Sequence, residues 1–130
     1  MITIDDFGKV EIRVGTVLSA EPAEGADKLL RIVFDFGPLS ENEQSEIVLL
    51  PELTQTYPGR HVRQIMSAIR PFFADPQVLV GKQICVLTNL EPRKFRGFES
   101  QGMLMAVGDA ETGITFITPE KPVEPGMKVK

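Results

Sequence analysis

Apolar and polar residues alternate along several short segments of the chain, a pattern with a period of two that is typical of β-strands. In the first segment, Val10, Ile12 and Val14 share one face, and after Gly15 the apolar phase shifts to Val17. Such a shift predicts a glycine bulge and a sharply bent first strand. The predicted strands cover residues 9–17, 30–36, 62–69, 82–90 and 102–107, with a short sixth strand at 114–118.

Turn residues and one short helix separate these strands. Asp75 and Pro76 predict a helix over residues 75–80, with Asp75 as its cap and Pro76 at its first position. Residues 38–60 form a long acidic connector with a candidate accessory strand at 47–50, and the tail contains a candidate edge strand. Five main strands with one helix between the third and fourth predict an all-β OB-fold. This five-stranded Greek-key barrel forms a single domain with short accessory terminal strands.

The composition is that of an ordinary soluble globular domain, with 130 residues of which 42% are hydrophobic and 25% charged. No apolar run reaches membrane-spanning length, and the N-terminus lacks the features of a signal peptide, so we expect a cytoplasmic protein without membrane insertion. The single cysteine, Cys85, lies in an apolar run and is expected to be a buried structural thiol.

Positive charge is concentrated in one segment of a chain whose formal net charge is −4. Arg93, Lys94 and Arg96 fall within four positions, between the fourth and fifth predicted strands. A basic loop at this place in a small barrel predicts a surface for the phosphate backbone of a nucleic acid. The alternative is a solvated turn whose cations pair with Glu91 and Glu99.

Aromatic and sulfur-containing side chains accompany these cations. Phe95 and Phe98 can stack on bases, or anchor the loop on the barrel, and we expect a structural role for at least one of them. Met103 and Met105 alternate along the fifth strand, which favours the core. Exposed methionines would instead provide an adaptable surface for peptides.

Five segments resemble, in order, those of the tRNA-binding-domain family: 6–15, 26–30, 63–67, 79–82 and 89–103. The family is similar to the C-terminal domain of methionyl-tRNA synthetases, to stand-alone tRNA-binding proteins and to the CsaA-type export chaperone. The resemblance implies a homodimer that binds tRNA or structured RNA, with a CsaA-like chaperone of unfolded export precursors as the alternative. The chain departs from the family at its long acidic connector and at Glu91, where a basic residue is common.

Further site residues follow from this likeness and from strand geometry. Lys28 resembles a lysine with which the family contacts phosphate. Arg63 and Ser67 share one face of the third strand, where a barrel would present them beside the basic loop. Asn89 and Ser100 flank that loop and can either read a base edge or ribose hydroxyl, or cap nearby backbone groups.

No recognised catalytic motif is found in this sequence. His61 is the only histidine, and we interpret it as a surface residue. No carboxylates follow a known metal-ligand spacing, and there is no phosphate loop or nucleophile motif. We therefore expect a non-catalytic protein without cofactor or metal, which recognises RNA by shape and backbone charge.

Overall fold

The structure is a computed structural model that describes residues 1–41 and 46–130. The strands are β1 (Ile12–Pro22), β2 (Leu30–Pro38), β3 (Arg60–Ser67), β4 (Gln83–Leu87), β5 (Arg93–Phe95), β6 (Phe98–Ser100), β7 (Met103–Leu104), β8 (Ala106–Asp109) and β9 (Gly113–Phe116). The α-helices are α1 (Ile4–Phe7) and α2 (Pro51–Thr56), and 3-10 helices lie at Leu39–Glu41, Arg70–Phe72 and Pro76–Leu79. Within these described ranges, none of the helices is long and apolar enough to cross a membrane.

Five strands form one antiparallel sheet in the order β3–β2–β1–β4–β7. The sheet curls until β3 reaches the segment between β6 and β7. There, the Gln101 amide donates to the Gln64 carbonyl at 2.8 Å, and the Met66 amide donates to the Ser100 hydroxyl at 3.0 Å. The predicted all-β fold with a five-stranded OB-like barrel is confirmed.

Strand β1 is long enough to pair with two neighbouring strands. It pairs with β4 over its first half and with β2 over its second half, and its register shifts between Val17 and Ser19. The predicted bulge is therefore displaced from Gly15. That glycine is needed for a different reason, because a Cβ atom there would lie 2.8 Å from the rings of Phe34 and Phe36. The close approach of these two rings fills the barrel.

The barrel core is closed at one end by the segment that follows β3. Phe72 and Phe73 pack against the core, together with the fully buried Leu79. The Asp75 carboxylate accepts from the Gln77 amide at 3.1 Å, so the predicted cap is confirmed. The capped element is a 3-10 helix and not an α-helix. Cys85 is buried as predicted, and its burial raises the pKa of the thiol.

The acidic connector contains a helix that was not predicted, and it lacks the accessory strand expected just before that helix. Residues 47–50 form no strand, and α2 follows them with Pro51 in its first turn. Leu50, Leu53 and Tyr57 have the spacing of one helix face and pack as a satellite cluster beside β2 and β3. The sequence analysis overlooked this helical spacing, which begins where the expected strand ends. Residues 42–45 of the connector lie outside the described residues.

The two chain ends also differ from the predicted pattern. The first helix, α1, was not predicted, although Thr3 and Asp6 form a capping box at its start. The predicted fifth strand is divided into β7 and β8, and β8 pairs with β9 to form a separate hairpin. The candidate edge strand of the tail forms one bridge to β1, between Arg13 and Lys128. This bridge and its neighbouring hydrogen bonds cover the edge of β1.

Candidate nucleic-acid interface

The basic segment folds into a β-hairpin and is not an irregular loop. Strands β5 and β6 pair Arg93 with Ser100 and Phe95 with Phe98. Their two-residue turn has φ of 51° at Arg96 and 85° at Gly97. Positive φ at both positions defines a type I′ turn, which suits the twist of a hairpin. We call residues 93–100 the basic hairpin.

An arginine in a left-handed conformation is unusual, because its Cβ atom crowds the following carbonyl at a cost of about 1 kcal/mol. Arg96 is the one non-glycine residue with positive φ among the described residues. The turn thereby places an exposed guanidinium at the tip of the basic hairpin. Strain of this kind is often retained where a side chain has a function.

Both phenylalanines attach the basic hairpin to the barrel. Phe95 and Phe98 are partly buried against Ala23, Ala26 and Met66. The structure thus assigns an anchoring role to both rings, where the sequence required it of only one. The Arg93 guanidinium lies 5.1 Å from the Phe95 ring centroid, in a cation–π arrangement that leaves Arg93 exposed.

The three cations of the basic hairpin are available to a ligand. Arg93, Lys94 and Arg96 are all exposed. In residues 1–41 and 46–130, the ion pairs join other residues, and none reaches these three cations. Among the described residues, the alternative in which Glu91 and Glu99 form ion pairs with these cations is therefore not observed. The basic hairpin carries positive charge outward from an acidic molecule.

Arg63 lies inside the molecule and not on the surface of a groove, which corrects its expected position. It is 2% exposed because β3 is buried on both of its faces. One of its terminal nitrogens, Nη1, donates to the carbonyls of Thr88 at 2.5 Å and of Gln101 at 3.2 Å. These carbonyls stand at either end of the segment that contains the basic hairpin, so Arg63 joins its two ends.

His61 is likewise buried, at 2% exposure, and the expectation of a surface histidine is wrong. Its Nε2 atom accepts from Arg63 Nε at 2.9 Å, and its ring meets Phe36 edge-on. Burial, reinforced by the charges of Arg63 and Arg13, lowers the pKa of His61 to about 4. Burial also lowers the pKa of Arg63 to about 10, which leaves its guanidinium protonated at neutral pH.

The two polar residues that flank the basic hairpin are used by the protein itself. The Ser100 hydroxyl accepts from Met66 N and donates to Gly102 O at 3.1 Å. The Asn89 amide accepts from Glu11 N at 2.8 Å and donates to Lys9 O at 2.7 Å. Of the two roles considered from the sequence, the structure shows the bonding to backbone.

The other site residues fall around the basic hairpin. Lys28 is exposed on the turn that also supplies Ala26 to the cluster under the two phenylalanines. Ser67 is partly exposed at the end of β3. Met103 is 51% exposed, which corrects its expected place in the core, while Met105 is partly buried. Met103 and Leu104 are neighbours on β7, so their side chains point to opposite faces of the strand, and it is Leu104 that packs in the core.

Sequence reasoning missed the polar contacts under the basic hairpin. The Gln64 side chain donates to Glu99 O at 2.9 Å, and the buried Gln101 side chain donates to Val48 O at 2.8 Å. The available signal was a glutamine, Gln64, within the third predicted strand. In the described part of the chain, no three His, Cys, Asp or Glu side chains are grouped to hold a metal.

An OB-like barrel with a charged hairpin beside its sheet belongs to the class of small β-barrel domains, whose members include binders of oligonucleotides and oligosaccharides. A family model described as "Putative tRNA binding domain" matches residues 53–128. The chain belongs to this family, and the predicted likeness is confirmed.

Three relatives illustrate the range of this likeness. Methionine–tRNA ligase from Methanoregula boonei is 42% identical over the whole chain, which spans only 16% of that enzyme. The MetRS-related protein from Pyrococcus horikoshii has a TM-score of 0.75 at 28% identity, covering 100% of this chain and 98% of that one. The chaperone CsaA from Bacillus anthracis str. Ames has a TM-score of 0.74 at 22% identity, covering 100% and 99%. The likeness to CsaA shows the fold alone.

Proposed function

We propose that this chain is a non-catalytic module that binds tRNA or another structured RNA through the basic hairpin. The observation that carries this proposal is the set of three exposed cations without ion-pair partners among the described residues, Arg93, Lys94 and Arg96. Membership of the tRNA-binding-domain family supports RNA as the anion. An RNA partner of this kind agrees with a cytoplasmic location.

Recognition would depend on the position of charge and on the shape of the RNA. Guanidinium groups can bind phosphate oxygens with two hydrogen bonds, while Lys94 acts as a point charge. Lys28 is exposed on the turn that packs against the basic hairpin, and in this proposal it adds a further cation to the RNA-binding surface. Because the chain is acidic overall, the rest of its surface repels the backbone and orients the RNA on the basic hairpin.

We also propose that two copies associate through an exposed apolar face. The face comprises the side chains of Ile4, Phe7, Val10, Leu90 and Val129. Hydrogen bonds from Asn89 to Lys9 O and from Val129 N to Ile12 O hold these segments together around the start of β1. A dimer would present two basic hairpins and raise the affinity for one RNA through avidity.

A CsaA-like chaperone activity is the second candidate, and the exposure of Met103 favours it. Its side chain is 51% exposed beside partly buried apolar residues, as an adaptable peptide surface requires. The two functions differ in their response to salt, because apolar contacts with an unfolded peptide are much less screened than contacts with phosphate.

Competition between RNA and an unfolded protein tests the proposal. Labelled tRNA is titrated with the protein, and a reduced, unfolded polypeptide is then added as competitor. We expect tRNA to bind, and the double variant Arg93→Gln/Arg96→Asn to bind it about tenfold more weakly or worse. The control Lys82→Gln/Lys121→Gln removes two exposed charges elsewhere. No tRNA binding by the wild-type protein, together with tight binding of the unfolded polypeptide, would support the chaperone instead.

A further inference from the structure

A small pocket lies between the basic hairpin and the edge of the barrel. Its volume is 140 Å³, and its lining includes Met66, Leu90, Phe95 and Met103, with Glu91 and Arg93 as charged members. An apolar cavity of about 150 Å³ accepts one aromatic ring of the size of benzene, and because this pocket is open at the exposed Met103, it can take the six-membered ring of a purine while the rest of the base lies outside. We propose that this pocket binds one unstacked guanine base of the RNA, an inference that rests on the proposed RNA-binding function.

The walls of the pocket suit a flat aromatic guest. Met66 is buried and Met103 is half-exposed, so one thioether lies deep in the pocket and the other lies near its mouth. Phe95 is fixed from behind by the cluster under the basic hairpin. Thioether and aromatic surfaces attract any base, because every base has a π-face. These walls therefore provide affinity without choosing between bases.

Glu91 provides the selectivity for guanine over the other bases. In residues 1–41 and 46–130, no ion pair or hydrogen bond engages its carboxylate, although Arg93 is only two positions away. An ionised carboxylate only accepts hydrogen bonds. Guanine presents two adjacent donors on its Watson–Crick edge, N1–H and the exocyclic amine, and can bond both carboxylate oxygens. Adenine and cytosine place an acceptor at the central position of that edge, and uracil has a single donor there, N3–H, flanked by two carbonyl acceptors, so the carboxylate repels part of the edge of each of these bases.

Arg93 favours a nucleotide over an apolar peptide side chain as the ligand of this pocket. Its guanidinium lies 5.1 Å from the centroid of the Phe95 ring, and Arg93 is an exposed residue that lines the pocket. A cation beside the base pocket can neutralise the phosphate of the same nucleotide. Glu91 thus matches the base of a guanosine monophosphate, and Arg93 matches its phosphate.

The methionine methyl groups report directly on this pocket. We propose to label them with ¹³C and to titrate the protein separately with 5′-GMP, 5′-AMP and 5′-UMP. We expect GMP to shift the Met66 and Met103 resonances with an affinity about fivefold or more above that of AMP. Glu91→Gln should abolish this preference, whereas Glu111→Gln, an exposed carboxylate on the β8–β9 hairpin, should retain it.

Failure of this inference is distinguishable from failure of RNA binding. If tRNA binds but GMP and AMP shift the two methyl groups equally, or if Glu91→Gln keeps the preference, the guanine assignment is wrong while the proposed function stands. If the wild-type protein binds no tRNA, the proposed function itself fails. If an unfolded apolar peptide shifts both methyl groups and GMP does not, the pocket belongs to a peptide and the assignment is overturned.

Discussion

The buried pair of His61 and Arg63 favours a neutral imidazole. His61 Nε2 accepts a hydrogen bond from Arg63, and protonation of that atom would set two donors and two positive charges against each other. The folded pKa of about 4 lies below the ordinary value of 6.5, mainly because the ring is buried. Between pH 6.5 and 4, the unfolded chain binds more protons than the folded protein, so the stability falls as the pH is lowered.

We predict that, because of the lowered pKa of His61, the free energy of unfolding decreases by about 3 kcal/mol as the pH falls from above 6.5 to about 4. Urea denaturation at several pH values measures this loss, and His61→Gln should flatten the curve between pH 6.5 and 4.5. The hydrogen bond from Arg13 lowers the pKa of Glu11. Protonation of this carboxylate therefore reduces the stability only at pH values below its ordinary pKa of 4.5. Because the chain has one histidine, NMR gives its pKa directly, and a midpoint near 6.5 would contradict this account.

Arg63 is predicted to act on binding only through the position of the basic hairpin. Arg63→Gln should lower the free energy of unfolding by about 1–3 kcal/mol, because the Thr88 and Gln101 carbonyls lose their buried donor. Arg93→Gln, at an exposed site, should change it by less than about 0.5 kcal/mol. Hydrogen exchange of the amides at 93–100 should accelerate only in the Arg63 variant. Equal stability of the two variants would show that the buried contacts are unimportant.

At the scale of single elements, the basic hairpin combines a strained turn with strands that are anchored on the barrel. Its tip holds Arg96 at a φ of 51°, and its strands are fixed by Phe95 and Phe98 on the barrel. Asparagine followed by glycine is the favoured sequence for a type I′ turn. The arginine is thus a poor choice for folding at this position, which is consistent with selection for charge.

Arg96→Asn should therefore separate folding from binding. We expect the variant to be as stable as the wild-type protein or more stable by about 0.5–1 kcal/mol, because asparagine tolerates the left-handed conformation. Its affinity for tRNA should nevertheless fall. Thermal unfolding and tRNA titration of the same preparation check both effects. Arg96→Val, with a β-branched side chain, is the contrasting variant and should lose stability. Weaker folding of Arg96→Asn would argue against a strained turn.

The elements were predictable to the extent that each follows from local pattern. Alternation gave the main strands, and Asp75 with Pro76 gave the capped turn that buries Leu79. Positions that depend on contacts distant in sequence could not be found in this way. Burial of Arg63 requires the carbonyls of Thr88 and Gln101, which are 25 and 38 residues away. The location of the basic segment was predictable, whereas the polar contacts that hold it were not.

At the scale of the whole molecule, the exposed apolar face predicts self-association. Ile4 is 81% exposed and Phe7 42% exposed on a helix with no buried residue. We expect sedimentation equilibrium to show two chains per particle. Ile4→Ser/Phe7→Ser should shift the particle to one chain with an unchanged circular dichroism spectrum. Val78→Ser, at an exposed site on a 3-10 helix, is the control. A monomeric wild-type protein would refute the proposed dimer.

The salt dependence of tRNA binding tests the central claim most directly. A plot of the logarithm of the association constant against the logarithm of salt concentration falls by about 0.7–0.9 for each phosphate neutralised. We predict a slope for Arg93→Gln/Arg96→Asn that is shallower than that of the wild-type protein by about 1–2 units. The slope of Lys82→Gln/Lys121→Gln should match the wild type. A wild-type slope near zero, or the same slope for all three proteins, would contradict phosphate binding by the basic hairpin.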